Sequence, residues 1–210
     1  MPNINGFVTI INSKIGCGYV LGSQGQIMSE KLLNVLKYNY SLASREANYN
    51  VALKWIGKQC FDCSGLIIWT LQQLNILKST EDYVAHDIYY KLCEPVNKAD
   101  LIAGDLCFVY DKSKKKIVHV GVYVGNSQVV HARGTSYGVV KTGVLPYFGM
   151  YGRLKCFEQE EEDSMTVKEF QAIRKIEADG IVGKQTITEF LKVAEDYYRM
   201  KQILSDLVKE

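Results

Sequence analysis

Three side chains in this chain have the types and placement to make and break bonds at neutral pH: Cys63, His119 and His131. Cys63 stands in Phe61-Asp62-Cys63-Ser64-Gly65, where the pattern turns into an apolar helical run holding Leu66, Ile67, Trp69, Leu71 and Leu74. A lone thiol is mostly protonated near neutral pH and attacks weakly; a helix N-terminus and an imidazole base both lower its pKa. With Asp62 as N-cap, Cys63 is the first helical residue. Unpaired backbone N–H groups there can stabilise a thiolate and receive an oxyanion. The expected chemistry is attack of sulfur on a carbonyl carbon. The plainer alternative is a small apolar residue opening a buried helix under an ordinary cap.

His119 lies in Val118-His119-Val120-Gly121-Val122-Tyr123-Val124, where alternation puts His119, Gly121 and Tyr123 on one face and the valines on the other. Taken alone, it reads as a hydrogen-bonded structural histidine. His131 changes that balance. A three-residue loop centred on Gly125 sets His131 directly opposite His119, with Cβ atoms roughly 5 Å apart. Centring the loop on Asn126 makes the pair diagonal on the same face, still within reach through ring nitrogens. A two-residue loop throws the rings onto opposite faces. On one face, one imidazole can act as base while the other holds its tautomer and orientation, the role of the carboxylate in other triads. Zinc competes for the same atoms, because Cys60 and Cys63 form a Cys-x-x-Cys pair that two histidines would complete. The histidine spacing is not that of a zinc finger, and no βαβ pattern precedes the pair to suggest a redox motif. No metal and no cofactor are called for.

The elements that must position these groups read as helices first and strands later. Ser29 can cap a helix through about Tyr38, and Asp62 or Cys63 opens the next. Leu106 to Tyr110, Ile117 to Val124, Gln128 to Ala132 and Gly138 to Lys141 are short β-branched or aromatic runs between turn signals. The result is an α+β domain built on an antiparallel sheet. The stretch Glu158 to Ser164 is acidic and lacks apolar residues, which marks a linker. Met165 to Ile176 and Thr186 to Lys209 then show helical spacing. The expected division is 1–157, linker 158–164, and a small all-α C-terminal domain over 165–210.

Residues 159–210 carry 8 Lys/Arg against 12 Asp/Glu, a net of −4 within a chain of +2, so the remainder carries +6. Such a mildly basic part would suit an anionic partner, or serve solubility alone. The six cysteines are thinly spread, several in apolar runs, and read as buried free thiols. No apolar run approaches the ~20 residues that span a bilayer, so no membrane insertion is expected. Met1 to Gly6 lacks the basic start and apolar core of a signal peptide.

Taken in order, the motifs resemble the NlpC-type, p-sixty-like cell-wall cysteine peptidases, relatives of papain in fold. The resemblance runs from about Gly16 to Arg153. It rests on Gly18-Tyr19-Val20-Leu21-Gly22, Phe61-Asp62-Cys63-Ser64-Gly65, Ala103-Gly104-Asp105-Leu106, the His119 to Gly125 run and Val130-His131-Ala132. It implies Cys63 as nucleophile, His119 as general base, His131 as the orienting residue, and the Tyr19 hydroxyl with the Cys63 N–H at the oxyanion. Asp62 and Ser64 resemble family positions that meet substrate groups. The implied reaction is hydrolysis of the peptidoglycan stem peptide, most often between γ-D-glutamate and the diamino acid; nucleic acid is not an implied partner. Ser23 to Cys60 is longer than the minimal family spacing, which implies an inserted segment shaping the cleft. Leu21-Gly22-Ser23 departs from the aromatic, paired-glycine form of the first motif.

The tail, with Val167 to Gln171 and Ala178 to Gly183 followed by Thr186 as a helix cap, resembles a small peptidoglycan-binding domain. An apolar stripe of Tyr197, Met200, Ile203 and Leu207 offers self-association instead. Without a signal peptide, a wall substrate suggests synthesis in the cytoplasm and release by a separate route, as for a phage or prophage endolysin released by a pore-forming partner, or equally carriage by a phage tail or other injection apparatus. An N-acetylmuramoyl–L-alanine amidase and a non-catalytic wall-binding protein are the competing readings.

Overall fold

The computed structural model describes residues 3–157, 170–172, 174, 175, 184–193 and 196. The chain falls into two compact units, Met1–Glu158 and Gln159–Glu210.

The first unit opens with α1 (Ile4–Ser13), capped by Asn3, whose side chain accepts from Gly6 N. Neither this helix nor its buried Phe7 and Ile11 was singled out from the sequence. β1 (Gln24–Ile27), α2 (Glu30–Leu36) and α3 (Arg45–Ala52) follow, then β2 (Gln59–Phe61), which pairs antiparallel with β1. Ser29 caps α2 as expected, accepting from Leu32 N, although the α-helix ends at Leu36 and only a 3₁₀ turn continues to Asn39. The long Ser23–Cys60 stretch therefore has its own small core: Val20, Met28, Leu33, Ala52, Trp55 and Cys60.

α4 (Cys63–Gln73) is the central helix, burying Leu66, Ile67, Ile68 and Leu71. α5 (Ala85–Asp87) runs on into a wide turn over Ile88–Leu92. β3 (Cys93–Pro95), β4 (Leu106–Asp111), β5 (Lys116–Tyr123), β6 (Gln128–Gly134), β7 (Gly138–Gly143) and β8 (Met150–Leu154) form one six-stranded antiparallel sheet ordered β3-β8-β4-β5-β6-β7. Four of these strands were legible in the sequence, whereas β3 and β8 were not. Val120, Val122, Val130, Ala132 and Val139 join the α4 residues in the main core. The opposite face carries Cys107, Val129, Phe148 and Tyr151. Burying each large aliphatic side chain contributes about 1.5–3 kcal/mol, so the α4–sheet seam holds the unit together. The architecture is α+β, with helices on an antiparallel sheet. Asp105, fully buried at the start of β4, accepts from Arg153 Nε at 2.8 Å and Nη2 at 2.9 Å, and from Ile102 N.

In the second unit, the rings of Phe170 and Phe190 stack at 3.9 Å, and Arg174 pairs with Glu189 at 2.9 Å. Thr186 lies inside the helical segment 184–193, its hydroxyl accepting from Gln171 Nε2 at 2.9 Å. It is therefore not the helix cap the sequence suggested. The linker residues Glu158 to Ser164, Val167 to Glu169, Ala178 to Gly183 and the Tyr197–Leu207 stripe lie outside the described residues.

Candidate active site

Cys63 takes its place from its cap. Asp62 Oδ1 accepts from Gly65 N at 2.7 Å and from Ser64 Oγ at 3.2 Å, while Oδ2 accepts from Gly22 N at 2.8 Å. The carboxylate thus closes the first turn of α4 and ties it to the loop after Tyr19. Gly65 is obligatory here, because a Cβ would run into the Ser23 carbonyl oxygen. Asp62 and Ser64 spend these groups inside the protein, next to Cys63. Burial pushes the Asp62 carboxyl above the ordinary carboxylate value, against the three hydrogen bonds that pull it down.

The Cys63 sulfur is buried at the first turn of α4, and the nearby backbone N–H groups of Val120, Ser64 and Cys63 itself favour its thiolate. Val120 follows His119 directly in β5. There β5 and β6 share two rungs, Val122↔Val130 and Tyr123↔Val129. Helix-end stabilisation was expected to lower the thiol pKa. The opposite holds: burial first, then the neighbouring Asp62 charge, push it up to about 12, outweighing the three N–H groups.

The histidines adopt the Asn126-centred register. Gly125, Asn126 and Ser127 form the loop, all with positive φ, closed by Val124 N donating to Gln128 O at 2.9 Å. His119 Nε2 and His131 Nδ1 are then 2.8 Å apart, with ring planes at 65°. Phe148 covers both rings, stacked on His119 at 5.9 Å and edge-on to His131 at 5.6 Å. His131 is fully buried. Burial lowers the His119 pKa to about 4, and burial with the His119 and Arg133 charges lowers that of His131 to about 3. Both imidazoles are neutral at pH 7.

Tyr19 reaches the same place from the N-terminal side. Gly18 N donates to Gln59 O at 2.8 Å, and Phe61 N donates to Gly18 O at 3.0 Å, which pins Gly18 opposite Cys60, two residues before the α4 cap, with Tyr19 next to it. Its phenol is pushed well above its ordinary value by burial, then by the nearby Cys63 and Asp62. The structure therefore sets Tyr19, Asp62 and Ser64 around Cys63, places Cys63 in one core with Val120 of β5, and joins His119 to His131.

Cys60 is not part of this group. It is fully buried beside Trp55, its thiol donating to Lys58 O at 3.5 Å and Trp55 O at 3.9 Å. Among the described residues no set of three His, Cys, Asp or Glu could hold a metal. The third histidine, His86, accepts from Ile117 N through Nδ1 at 3.3 Å and lies tilted against the Tyr90 ring at 4.7 Å, a structural role. Sequence reading missed Phe148 and Thr142, whose hydroxyl meets His131 Nε2 at 3.3 Å. The strand reading stopped at Lys141, one residue short of Thr142. Phe148 sits in a loop where no periodicity marks it.

Among curated proteins, the chain is 36% identical over 80 residues to a probable endopeptidase of Mycobacterium tuberculosis, covering 38% of this chain and 18% of that one. It is 32% identical over 99 residues to the bifunctional muramidase/DL-endopeptidase CwlT of Bacillus subtilis, covering 45% and 29%. It is 31% identical over 85 residues to the murein DD-endopeptidase MepH of Escherichia coli, covering 40% and 31%. Less than a third of each relative's length is matched. Among solved structures, the P60 domain of a Mycobacterium avium subspecies paratuberculosis antigen aligns with a TM-score of 0.49 at 20% identity, covering 71% of this chain and 93% of that one. The family model described as NlpC/P60 matches residues 47–154, from α3 through the capped Cys63 and the histidine pair to the end of β8, and the chain belongs to the NlpC/P60 family.

Proposed function

We propose that this protein is a peptidoglycan hydrolase, a cysteine endopeptidase that cleaves the stem peptide at the bond between γ-D-glutamate and the diamino acid. The observation that carries the reading is Cys63 at the N-terminus of α4, sharing the core with Val120 of β5, which follows in the chain a histidine lying 2.8 Å from a second one. Similarity to proteins named endopeptidases supports the substrate class.

In this mechanism His119 is the general base. Thiol and imidazole are both neutral at rest, the first pushed up and the second pushed down by burial. The proton therefore passes from sulfur to His119 as the carbon–sulfur bond forms, not beforehand. The Cys63 N–H and the Tyr19 hydroxyl hold the oxyanion. His119 then returns the proton to the leaving amine, and water, activated by the same ring, hydrolyses the thioester. His131 keeps His119 oriented throughout. The 165–210 unit acts as a wall-targeting module that raises local concentration at an insoluble substrate.

Digestion of purified sacculi with the full chain, followed by mass spectrometry of the soluble fragments, tests this. New D-Glu carboxyl termini with free diamino-acid amines support it. New L-Ala amino termini would make the protein an amidase, and no new termini would leave a binding protein.

A further inference from the structure

The hydrogen-bond chain that begins at His119 does not stop at His131. β7 pairs with β6 so that Val140 faces His131, and Thr142, two residues on, shares that face. Thr142 Oγ1 lies 3.3 Å from His131 Nε2 and 3.0 Å from the carbonyl oxygen of Gly143. A carbonyl oxygen only accepts, so when the single hydroxyl proton of Thr142 goes to Gly143 it is not available to His131. Towards His131 the hydroxyl is then an acceptor, and His131 must carry its proton on Nε2. A neutral imidazole has one N–H. His131 Nδ1 is therefore bare and accepts from His119 Nε2–H across the 2.8 Å bond. That leaves His119 unprotonated at Nδ1, the nitrogen that can take a proton from sulfur.

The reversed chain is chemically possible and inactive. If the hydroxyl donated to His131 Nε2, His131 would carry its proton on Nδ1 and donate it to His119 Nε2. His119 would then hold its own proton on Nδ1 and could accept nothing from Cys63. Two proton arrangements of one chain thus differ in competence, and the Gly143 carbonyl selects between them through one hydroxyl.

We infer that Thr142 is a positioning residue that fixes the tautomer of His131, and through it the basic tautomer of His119. Because both rings are neutral at pH 7, tautomer and not charge is what the site must control. The inference rests on the proposed role of His119 as base, and it assigns Thr142 no contact with substrate.

The test uses the full chain with Thr142→Val, which keeps the β-branched shape and removes the hydroxyl, and Thr142→Ser, which restores it. Two-bond ¹H–¹⁵N spectra of ¹⁵N-histidine protein read each ring's tautomer independently of activity. The wild type and Thr142→Ser should show both rings protonated on Nε2, and Thr142→Val should show a mixture. For a soluble muropeptide substrate, kcat should fall about tenfold in Thr142→Val, in the range typical of lost supporting hydrogen bonds, with KM nearly constant and recovery in Thr142→Ser. Unchanged ring tautomers in Thr142→Val would overturn the inference. So would altered tautomers with an unchanged kcat, or failure of Thr142→Ser to recover. A wild-type chain that cleaves nothing defeats the proposed function instead, while the spectra still decide the proton chain.

Discussion

Gly121 and His131 stand so close across β5 and β6 that a Cβ on Gly121 would fall 2.8 Å from the His131 Cβ and 2.6 Å from Val129 Cγ1. The bare glycine lets the His131 ring lie over β5 and meet His119 on the diagonal. Alternation alone placed Gly121 between His119 and Tyr123; the register gives it a purpose.

Gly121→Ala should therefore cost about 1–3 kcal/mol through overpacking, seen as a Tm fall of roughly 2–4 °C per kcal/mol, with a large loss of sacculus digestion. Gly143→Ala, where the nearest atom to a new Cβ is 3.9 Å away, should leave Tm within about 1 °C. Equal Tm values for the two variants would contradict the packing account.

Cys63→Ser should reduce digestion by at least ~10³-fold with an unchanged circular dichroism spectrum, because a hydroxyl is far harder to deprotonate than a thiol. Cys60→Ala, in the separate Trp55 core, should cost stability and keep activity. Site-resolved alkylation adds a check on the resting state. With a thiol pushed up to about 12, Cys63 should react slowly at pH 7 and faster as pH rises, with no plateau below pH 8.

Stability should fall in acid through the histidine pair. Their folded pKa values, about 4 and about 3, lie below the ordinary 6.5. Between those values the unfolded chain binds more protons than the folded one, so stability rises with pH across that window, at up to ~1.4 kcal/mol per pH unit for each ring. Urea unfolding at pH 7, 5 and 4 measures it. The double variant His119→Gln with His131→Asn should show a flatter dependence on pH. On the proposed mechanism, the acid limb of kcat/KM belongs near pH 4, not 6.5.

Phe148 should set that limb. Replacing the buried ring that covers both imidazoles, as in Phe148→Ala, admits water and should move both histidine pKa values back towards 6.5, readable by NMR titration. The expected stability cost is ~3–5 kcal/mol. A histidine titration unmoved by this change would show that some other group keeps the pair dry.

Arg153→Met leaves Asp105 buried with its two guanidinium bonds gone. Breaking one side of a buried pair costs ~3–5 kcal/mol, so thermal unfolding should drop sharply. The companion Asp105→Asn, Arg153→Met should recover part of the loss, since no lone charge remains.

Local chemistry was enough to locate the α4 cap at Asp62, the Ser29 cap and four of the six strands of the large sheet, and to single out Cys63, His119 and His131 as candidates for the chemistry. These follow from periodicity of 3.6 or 2 and from turn residues, which act over a few neighbours. Three things needed the tertiary structure. The first was the choice among hairpin registers, because Gly125, Asn126 and Ser127 all tolerate positive φ and only packing selects the centre. The second was the sign of the Cys63 shift, since the helix end favours a thiolate but burial against β5 opposes it more strongly. The third was the reach of the histidine chain to Thr142 and its cover by Phe148, contacts between strands and loops that no local pattern encodes. A sequence lists the groups able to move a proton; how much water and how many neighbours each one meets is set only when distant segments pack together.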